Sequence, residues 1–303
     1  MITTLRFTPA WLVAGLFVLA GCGDKTPKQA NAKEPEPAVS VTSETTSAAS
    51  ETSTPVGPVS FEAAESSFRA RRYDEAVSGF AAYTSSHPSN PFGFYMLGLA
   101  AWKAGDLARA EDALRQALAL DSTHVKSYLN LSRVLLDAGQ PDSALGYLDA
   151  VLRIDETLGV AYRLIGRAHD AKGEPDQAVT AYHEALVLDS SDVWSMNNLG
   201  LVLIHQGAFE DALRPLARAV DLSPEVATFQ NNLGMALERT GHFTAAAEAY
   251  RAAITADSGF TKAQINLDRV AGLTKDPNVA PIDLKVLSQG FNAEIAGWAT
   301  QER

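Results

Sequence analysis

Between residues 57 and 260 the apolar and polar positions of this chain recur with a period of 34. Alanine returns at Ala76, Ala110, Ala144, Ala178, Ala212 and Ala246. With Ala76 as position 20, the windows fall at 57–90, 91–124, 125–158, 159–192, 193–226 and 227–260. Position 7 is usually bulky and apolar (Leu97, Leu131, Ile165, Leu199, Leu233, Leu267), and position 8 is small in the six windows (Ala64, Gly98, Ser132, Gly166, Gly200, Gly234). Position 24 is large: Phe80, Leu114, Leu148, Tyr182, Leu216, Tyr250. A fixed period of this length marks a stack of like supersecondary units rather than one globular core.

The elements follow from these preferences. Small residues at positions 8 and 20 let two antiparallel helices approach closely, and positions 7 and 24 fill the space beside that contact. Glycine at position 15 (Gly105, Gly139, Gly173, Gly207, Gly241) ends the first helix through a left-handed C-cap. Proline near position 32, as Pro88 and Pro224, stops the second helix; elsewhere Ser122, Glu156, Ser190 or Ser258 stands there.

Six units in this register resemble the tetratricopeptide repeat family over about 70% of the chain. The resemblance implies an all-α, right-handed solenoid of helix-turn-helix repeats over 57–273. The first repeat is degenerate, with Ala63 at position 7 and Arg71 in place of the glycine, as an N-terminal cap would be. A seventh unit begins (Gln264, Leu267, Ala271) but carries Asp268 at position 8, where a close partner helix would bury it. Residues 261–273 are therefore expected to be a solvated capping helix without a second helix against it. A Pro/Asn-containing loop follows over 274–280. Leu284, Leu287, Phe291, Ile295 and Trp298 then mark an amphipathic helix within 274–303, weakened by Gly290 and Gly297. It reads either as a lid on the exposed face of the last repeats or as a helix for a partner or the groove.

The other end of the chain carries a targeting signal. Arg6 precedes the apolar run Ala10–Ala20, and eleven helical residues span only about 16 Å, too short for a bilayer. Leu19-Ala20-Gly21-Cys22 resembles the lipobox of bacterial lipoproteins. That resemblance implies a signal peptide over 1–21 and lipidation of Cys22, the sole cysteine. Gly23, with the aspartate one place later at Asp24, implies by the same resemblance an outer-membrane lipoprotein facing the periplasm. Residues 23–56 hold five Ser, six Thr, five Ala and four Pro and no aromatic residue. Such a stretch buries too little apolar surface to offset its ordering entropy and is expected to be a flexible tether, spanning roughly 30–35 Å.

Catalytic chemistry finds no footing. The six histidines occupy different repeat positions, and HExxH, Cys/His clusters, GxxxxGK[ST] and GxSxG are absent from the sequence. No enzyme activity, cofactor, metal or small-molecule substrate is expected, and a net charge of −11 argues against nucleic acid. In the repeat family positions 2, 5, 6, 9, 12 and 13 line the concave face. Here they hold nine basic residues (Arg69, Lys103, Lys126, Arg133, Arg163, Arg167, Arg239, Lys262, Arg269) and five acidic ones (Glu62, Glu65, Asp137, Asp170, Glu238). This excess predicts a positive groove in an acidic chain. Asn130, Asn198, Asn232 and Asn266 at position 6, with Asn197 and Asn231 beside them, resemble the asparagine ladder of O-GlcNAc transferase, which implies contact with a peptide backbone. Met96 and Leu164 interrupt the row. Phe92, Tyr95, Leu99 and Trp102 form an aromatic patch, joined by Phe68 and Trp194, that anchors a partner or is covered by the N-terminal segment.

The expectation is a lipid-anchored scaffold holding a protein or peptide segment in its concave groove during envelope assembly, in the manner of a pilotin or an adaptor for peptidoglycan enzymes. The alternative is an envelope protein that self-associates through its ends and takes no dedicated ligand.

Overall fold

The glycine that sequence places at position 8 in four of the six repeats is the seat on which those repeats close. A Cβ built on Gly98 would stand 2.6 Å from Leu114, and one on Gly166 2.6 Å from the Tyr182 ring. The position-24 side chain therefore lies directly on the glycine, rather than beside the contact as the pattern alone suggested. Alanine at position 20 is fully buried in all six repeats.

The computed structural model describes residues 60–273 and 279–301, and those residues form fourteen helices and no strand. α1 (Phe61–Arg69) pairs with α2 (Tyr73–Ser86), α3 (Pro91–Ala104) with α4 (Leu107–Leu120), and α5 (Val125–Asp137) with α6 (Pro141–Ile154). α7 (Gly159–Lys172) pairs with α8 (Pro175–Leu188), α9 (Val193–Gln206) with α10 (Phe209–Leu222), and α11 (Ala227–Arg239) with α12 (Phe243–Ala256). α13 (Thr261–Val270) and α14 (Leu284–Gln301) complete the set. Each second helix packs on its own first helix and on the first helix of the next pair, which makes the stack an α-solenoid. All these residues lie within one unit of the chain, Ser40–Arg303. The expected signal peptide 1–21, Cys22 and the tether to residue 56 lie outside the described residues. No described helix is long and apolar enough to cross a membrane.

The turn inside each pair needs a left-handed residue. The five glycines at position 15 have φ between 73° and 87°, and Arg71 adopts φ 60° at the same place in the first repeat. The degenerate repeat thus keeps the turn geometry and bears the steric cost of a Cβ there, roughly 1–2 kcal/mol.

The second helices end at position 30 in every repeat, whether or not proline follows. Where proline is missing, an aspartate at position 31 supplies the stop. Asp121 Oδ1 accepts the amide and hydroxyl of Thr123 (2.9 and 2.8 Å), Asp155 does the same for Thr157 (2.9 and 2.7 Å), and Asp189 for Ser191 (3.0 and 2.6 Å). Asp257 accepts from the Gly259 amide (2.9 Å). These side-chain turns compete with helix continuation and replace proline as the breaker.

α13 occupies the place of a seventh first helix against α11 and α12, and Asp268 on it is exposed, accepting from Gln264 Nε2 at 2.9 Å. No described helix covers its outer side. α14 instead returns to the outer faces of α10 and α8, where Phe291 and Ile295 are buried with Tyr182, Leu186 and Phe229. It is the lid among the readings drawn from its pattern, and it lies away from the groove. Asp283 caps it, accepting from the Lys285 and Val286 amides at 2.9 and 3.1 Å.

Two substitutions test this framework by urea denaturation followed by circular dichroism. Gly234→Ala would drive a Cβ to 2.5 Å from the Tyr250 ring, and a loss of about 1–3 kcal/mol is expected. Arg71→Gly relieves the left-handed Cβ and is expected to stabilise by about 1 kcal/mol.

Candidate functional site

The first helices stand side by side and form one wall of the solenoid, with α3, α5, α7, α9, α11 and α13 touching in order. The residues expected to line a groove lie on this wall, but many turn sideways into the seams between helices. Tyr95, Asn130, Arg133, Asn198 and Asn232 are all buried. Phe92 (39% exposed), Lys126 and Lys262 are open to solvent, and Trp102 is half-buried.

The arginines are engaged within the chain. Arg163 Nη1 meets Asp192 Oδ2 at 2.5 Å, and that carboxylate also caps α9 through the Ser195 hydroxyl (2.6 Å). Asp192 stands at position 34, outside the positions expected to face the groove. Arg167 reaches Asp137 at 3.4 Å, and the same carboxylate accepts from Trp102 Nε1 at 2.8 Å. Arg133 Nη1 donates to Asn130 Oδ1 (3.0 Å), whose Nδ2 donates to the Tyr95 hydroxyl (3.3 Å). Arg269 grips Glu238 with two bonds of 2.7 and 2.6 Å. Lys103 lies 4.8 Å from the Trp102 ring, and Arg239 5.5 Å from that of Phe209. Lys126 and Lys262 form no ion pair among the described residues. Asp192 offsets one unit of the positive excess counted along the sequence, and the wall keeps a basic balance of which Lys126 and Lys262 are exposed parts.

The asparagines form a relay. Asn266 Nδ2 donates to Asn231 Oδ1 (2.9 Å), Asn231 Nδ2 to Asn232 Oδ1 (3.3 Å), Asn232 Nδ2 to Asn197 Oδ1 (2.9 Å) and Asn197 Nδ2 to Asn198 Oδ1 (3.2 Å). Five amides thus link α13, α11 and α9. Each carries two donors and two acceptor sites, so the relay does not use its full capacity; Asn197, Asn198, Asn231 and Asn232 are buried and Asn266 is half-buried. Asn130 is separated from this relay and belongs to the Arg133–Tyr95 chain, while Leu164 fills position 6 between them with full burial.

Burial shapes the titrating groups. It raises the Tyr95 hydroxyl, and it raises Tyr250 strongly, with the Glu238 carboxylate beside it adding to the effect. Burial pushes the Glu238 carboxyl up, yet the hydrogen bonds from Arg269 and Tyr250 outweigh it and the net shift is downward. Asp170 is raised by burial, which His205 opposes only in part. No group of three or more candidate metal ligands exists among the described residues.

The second helices carry a feature that the sequence reading missed. Position 25 is charged in α4, α6 and α12 (Arg115, Asp149, Arg251), yet it is His183 in α8 and Ala217 in α10, the two helices that α14 covers. The same position is Ala81 in α2, which α14 does not cover, so the break in charge alone did not mark the docking site.

A family model for the tetratricopeptide repeat matches residues 95–158, 163–225 and 209–259, more than half of the chain. The chain belongs to the tetratricopeptide repeat family, whose members mediate protein–protein contacts and are generally non-catalytic scaffolds. Solved structures share the fold at low identity. A thermophilic repeat protein from Thermus thermophilus is 17% identical with a TM-score of 0.54, covering 61% of this chain and 100% of its own. A repeat protein from Parabacteroides merdae is 13% identical with a TM-score of 0.61, covering 70% and 83%. The Cut9–Hcn1 hetero-tetramer of the APC/C matches at 15% identity and a TM-score of 0.61, covering 79% of this chain and 48% of that one. No curated protein matches.

The Arg269–Glu238–Tyr250 cluster makes a pH-dependent prediction. A carboxyl held below its unfolded value contributes stability that is present above the unfolded pKa and is lost as pH falls through the folded one. Arg269→Ala is expected to cost roughly 1–3 kcal/mol at pH 7, with the gap to wild type closing in acid. Urea midpoints measured across pH 3 to 7 check it.

Proposed function

We propose that this protein is a lipid-anchored envelope scaffold that holds a segment of a protein partner against the wall of first helices. The observation that supports the groove reading most is the open row at the N-terminal half of that wall. Phe92 offers an exposed aromatic face at the start of α3, the half-buried Trp102 a second one near its end, and Lys126 an exposed cation at the start of α5. Phe92 already stands at the edge of an aromatic cluster, 5.6 Å from Phe61 and 5.8 Å from Tyr95, which holds its ring in place before any partner arrives. Such pre-ordered aromatic anchors dominate binding energies. In this reading Lys126 and Lys262 attract carboxylates of the partner, the half-buried Asn266 meets its backbone, and the buried Asn198 and Asn232, together with Arg133, Arg163, Arg167, Asn130 and Tyr95, keep the wall rigid. Support for the anchor is the lipobox-like Leu19-Ala20-Gly21-Cys22 and the Ser/Thr/Pro-rich stretch behind it. Assembly roles of the pilotin or peptidoglycan-adaptor kind suit an anchored binder of this build.

Self-association through the ends is the second reading. It is favoured by the open side of α13, where Ile265 is 59% exposed and Leu273 46%.

Affinity purification of the full lipidated chain from detergent-solubilised envelopes, with mass spectrometry, compares wild type with Phe92→Ala/Lys126→Glu. Loss of a defined partner at unchanged thermal midpoint is expected, by about tenfold in recovery or more for hot-spot contacts. Retention of every partner by the double variant would sink the groove reading, and concentration-dependent mass sensitive to Ile265→Glu would favour self-association. Cys22→Ser is expected to move the protein from the membrane to the soluble fraction; a variant that stays membrane-bound would remove the lipid anchor from the proposal.

A further inference from the structure

α14 is seated like a ligand on a receptor. It touches α10 and α8 and no other helix to comparable extent. Leu287, Phe291, Ile295 and Trp298 face the solenoid; the Phe291 and Trp298 rings meet edge-on at 5.7 Å, and Trp298 stacks on His183 at 3.9 Å. Ser288, fully buried, donates to Asp221 Oδ2 at 2.7 Å. Arg218 bridges to Asp221 (3.1 Å) and Asn292 (3.5 Å), and Arg214 to Glu294 (3.4 Å).

The seat is better made than its occupant. Gly290 and Gly297 lie inside α14, and a Cβ added at either meets nothing within 4 Å, so packing does not require them. Each lowers the helix's intrinsic stability relative to alanine, and most of a helix's stability in a protein comes from the packing of its apolar face. Beside Gly290 the seam is underfilled: a cleft of about 430 Å³ opens among Arg214, Val286, Leu287, Gly290 and Glu294. Elsewhere under α14, where Arg218 meets Ser288 and Asn292, its Nε is buried without a hydrogen-bond partner. On the receptor side position 25, charged in α4, α6 and α12, is His183 in α8 and Ala217 in α10; α2, which α14 does not cover, has Ala81 there.

We propose that the α8–α10 face is an exchangeable helix-binding site, occupied by α14 at rest and taken over by an amphipathic helix of a protein partner. The seated helix defines the chemistry of that partner: apolar residues at i, i+3, i+7, i+11 and i+14, aromatic at i+7 and i+14, and a small hydroxyl at i+4 to meet Asp221. A partner helix with side chains where α14 has Gly290 and Gly297 is stiffer and fills the cleft. It can therefore compete with a segment held at the millimolar effective concentration of a short tether. A second copy of this chain brings the same two glycines and gains nothing by exchange.

The probe is a fluorescein-labelled peptide of residues 281–301 carrying Gly290→Ala and Gly297→Ala, read by anisotropy against the full chain. Phe291→Ala/Trp298→Ala in the full chain releases α14 and is expected to bind the probe at least tenfold more tightly than wild type. Adding Ala217→Arg to that variant is expected to abolish binding, with the thermal midpoint of the solenoid as the folding control. Installing Gly290→Ala/Gly297→Ala in the full chain itself strengthens the resident helix and is expected to weaken probe binding roughly tenfold relative to wild type. This arm keeps the test decisive if the release variant folds poorly. Hydrogen exchange in wild type is expected to be faster in α14 than in α10. Equal probe affinity for wild type and all variants, binding undiminished by Ala217→Arg, or α14 amides as protected as those of α10 would each overturn the proposal. A wild-type dimer abolished by Ala217→Arg would overturn the partner in favour of exchange between copies. Neither result bears on the Phe92–Lys126 row, so failure here and failure of the groove reading are separable.

Discussion

The close approach of two helices at position 8 is the constraint on which the rest of the molecule depends. Leu114, Tyr182, Leu216 and Tyr250 sit on the glycines Gly98, Gly166, Gly200 and Gly234 with no room for a methyl group. Because the contact repeats at the same two positions, it sets the same separation between first and second helix in those repeats, and a constant separation is what lets the next pair stack in register. Ser132 replaces glycine in the third repeat and still fits, since its hydroxyl bonds to the Tyr128 carbonyl at 2.9 Å instead of standing unpaired in the seam.

Stacking then leaves polar groups in the seams between first helices, and the chain satisfies them from one repeat to the next. Asn266, Asn231, Asn232, Asn197 and Asn198 pass hydrogen bonds along three helices. Arg163 with Asp192 ties α7 to the start of α9, and Arg167 with Asp137 ties α7 to α5, by charge. These contacts resist sliding of one repeat over another, because a shifted register would leave buried amides and guanidinium groups unpaired. The wall is therefore stiff, and what it offers to a partner is the remainder: an aromatic edge at Phe92 and Trp102, two open lysines and the half-buried amide of Asn266.

The two faces divide differently. The first-helix wall is a continuous surface whose polar capacity is partly consumed internally. Under α14 the second-helix face presents His183 and Ala217 at position 25, beside the buried Tyr182 and Leu186. A single helix returning over α10 and α8 hides that apolar patch and leaves the outer side of α13 open.

The all-α repeat architecture was legible in the sequence, because position 20, position 8 and position 15 each answer to a local steric demand that one residue type meets best. The Asp-x-Thr/Ser stops at 121, 155 and 189 are short-range hydrogen-bond chemistry, as local as the proline stops at 88 and 224. The aromatic, amide and basic residues of the candidate groove were identified by position, but their availability was not. Whether Arg163 faces a partner or Asp192 depends on a residue 29 positions away that only stacking brings to 2.5 Å. The seat of α14 is the sharpest case. Its amphipathic pattern declared that one face would be covered and could not say by what, since Phe291 and Ile295 pack with Tyr182 and Phe229, more than sixty residues away in sequence. Local sterics determined the repeat; the pairing of distant polar and apolar faces, which carries no periodic signature, was decided by the tertiary structure.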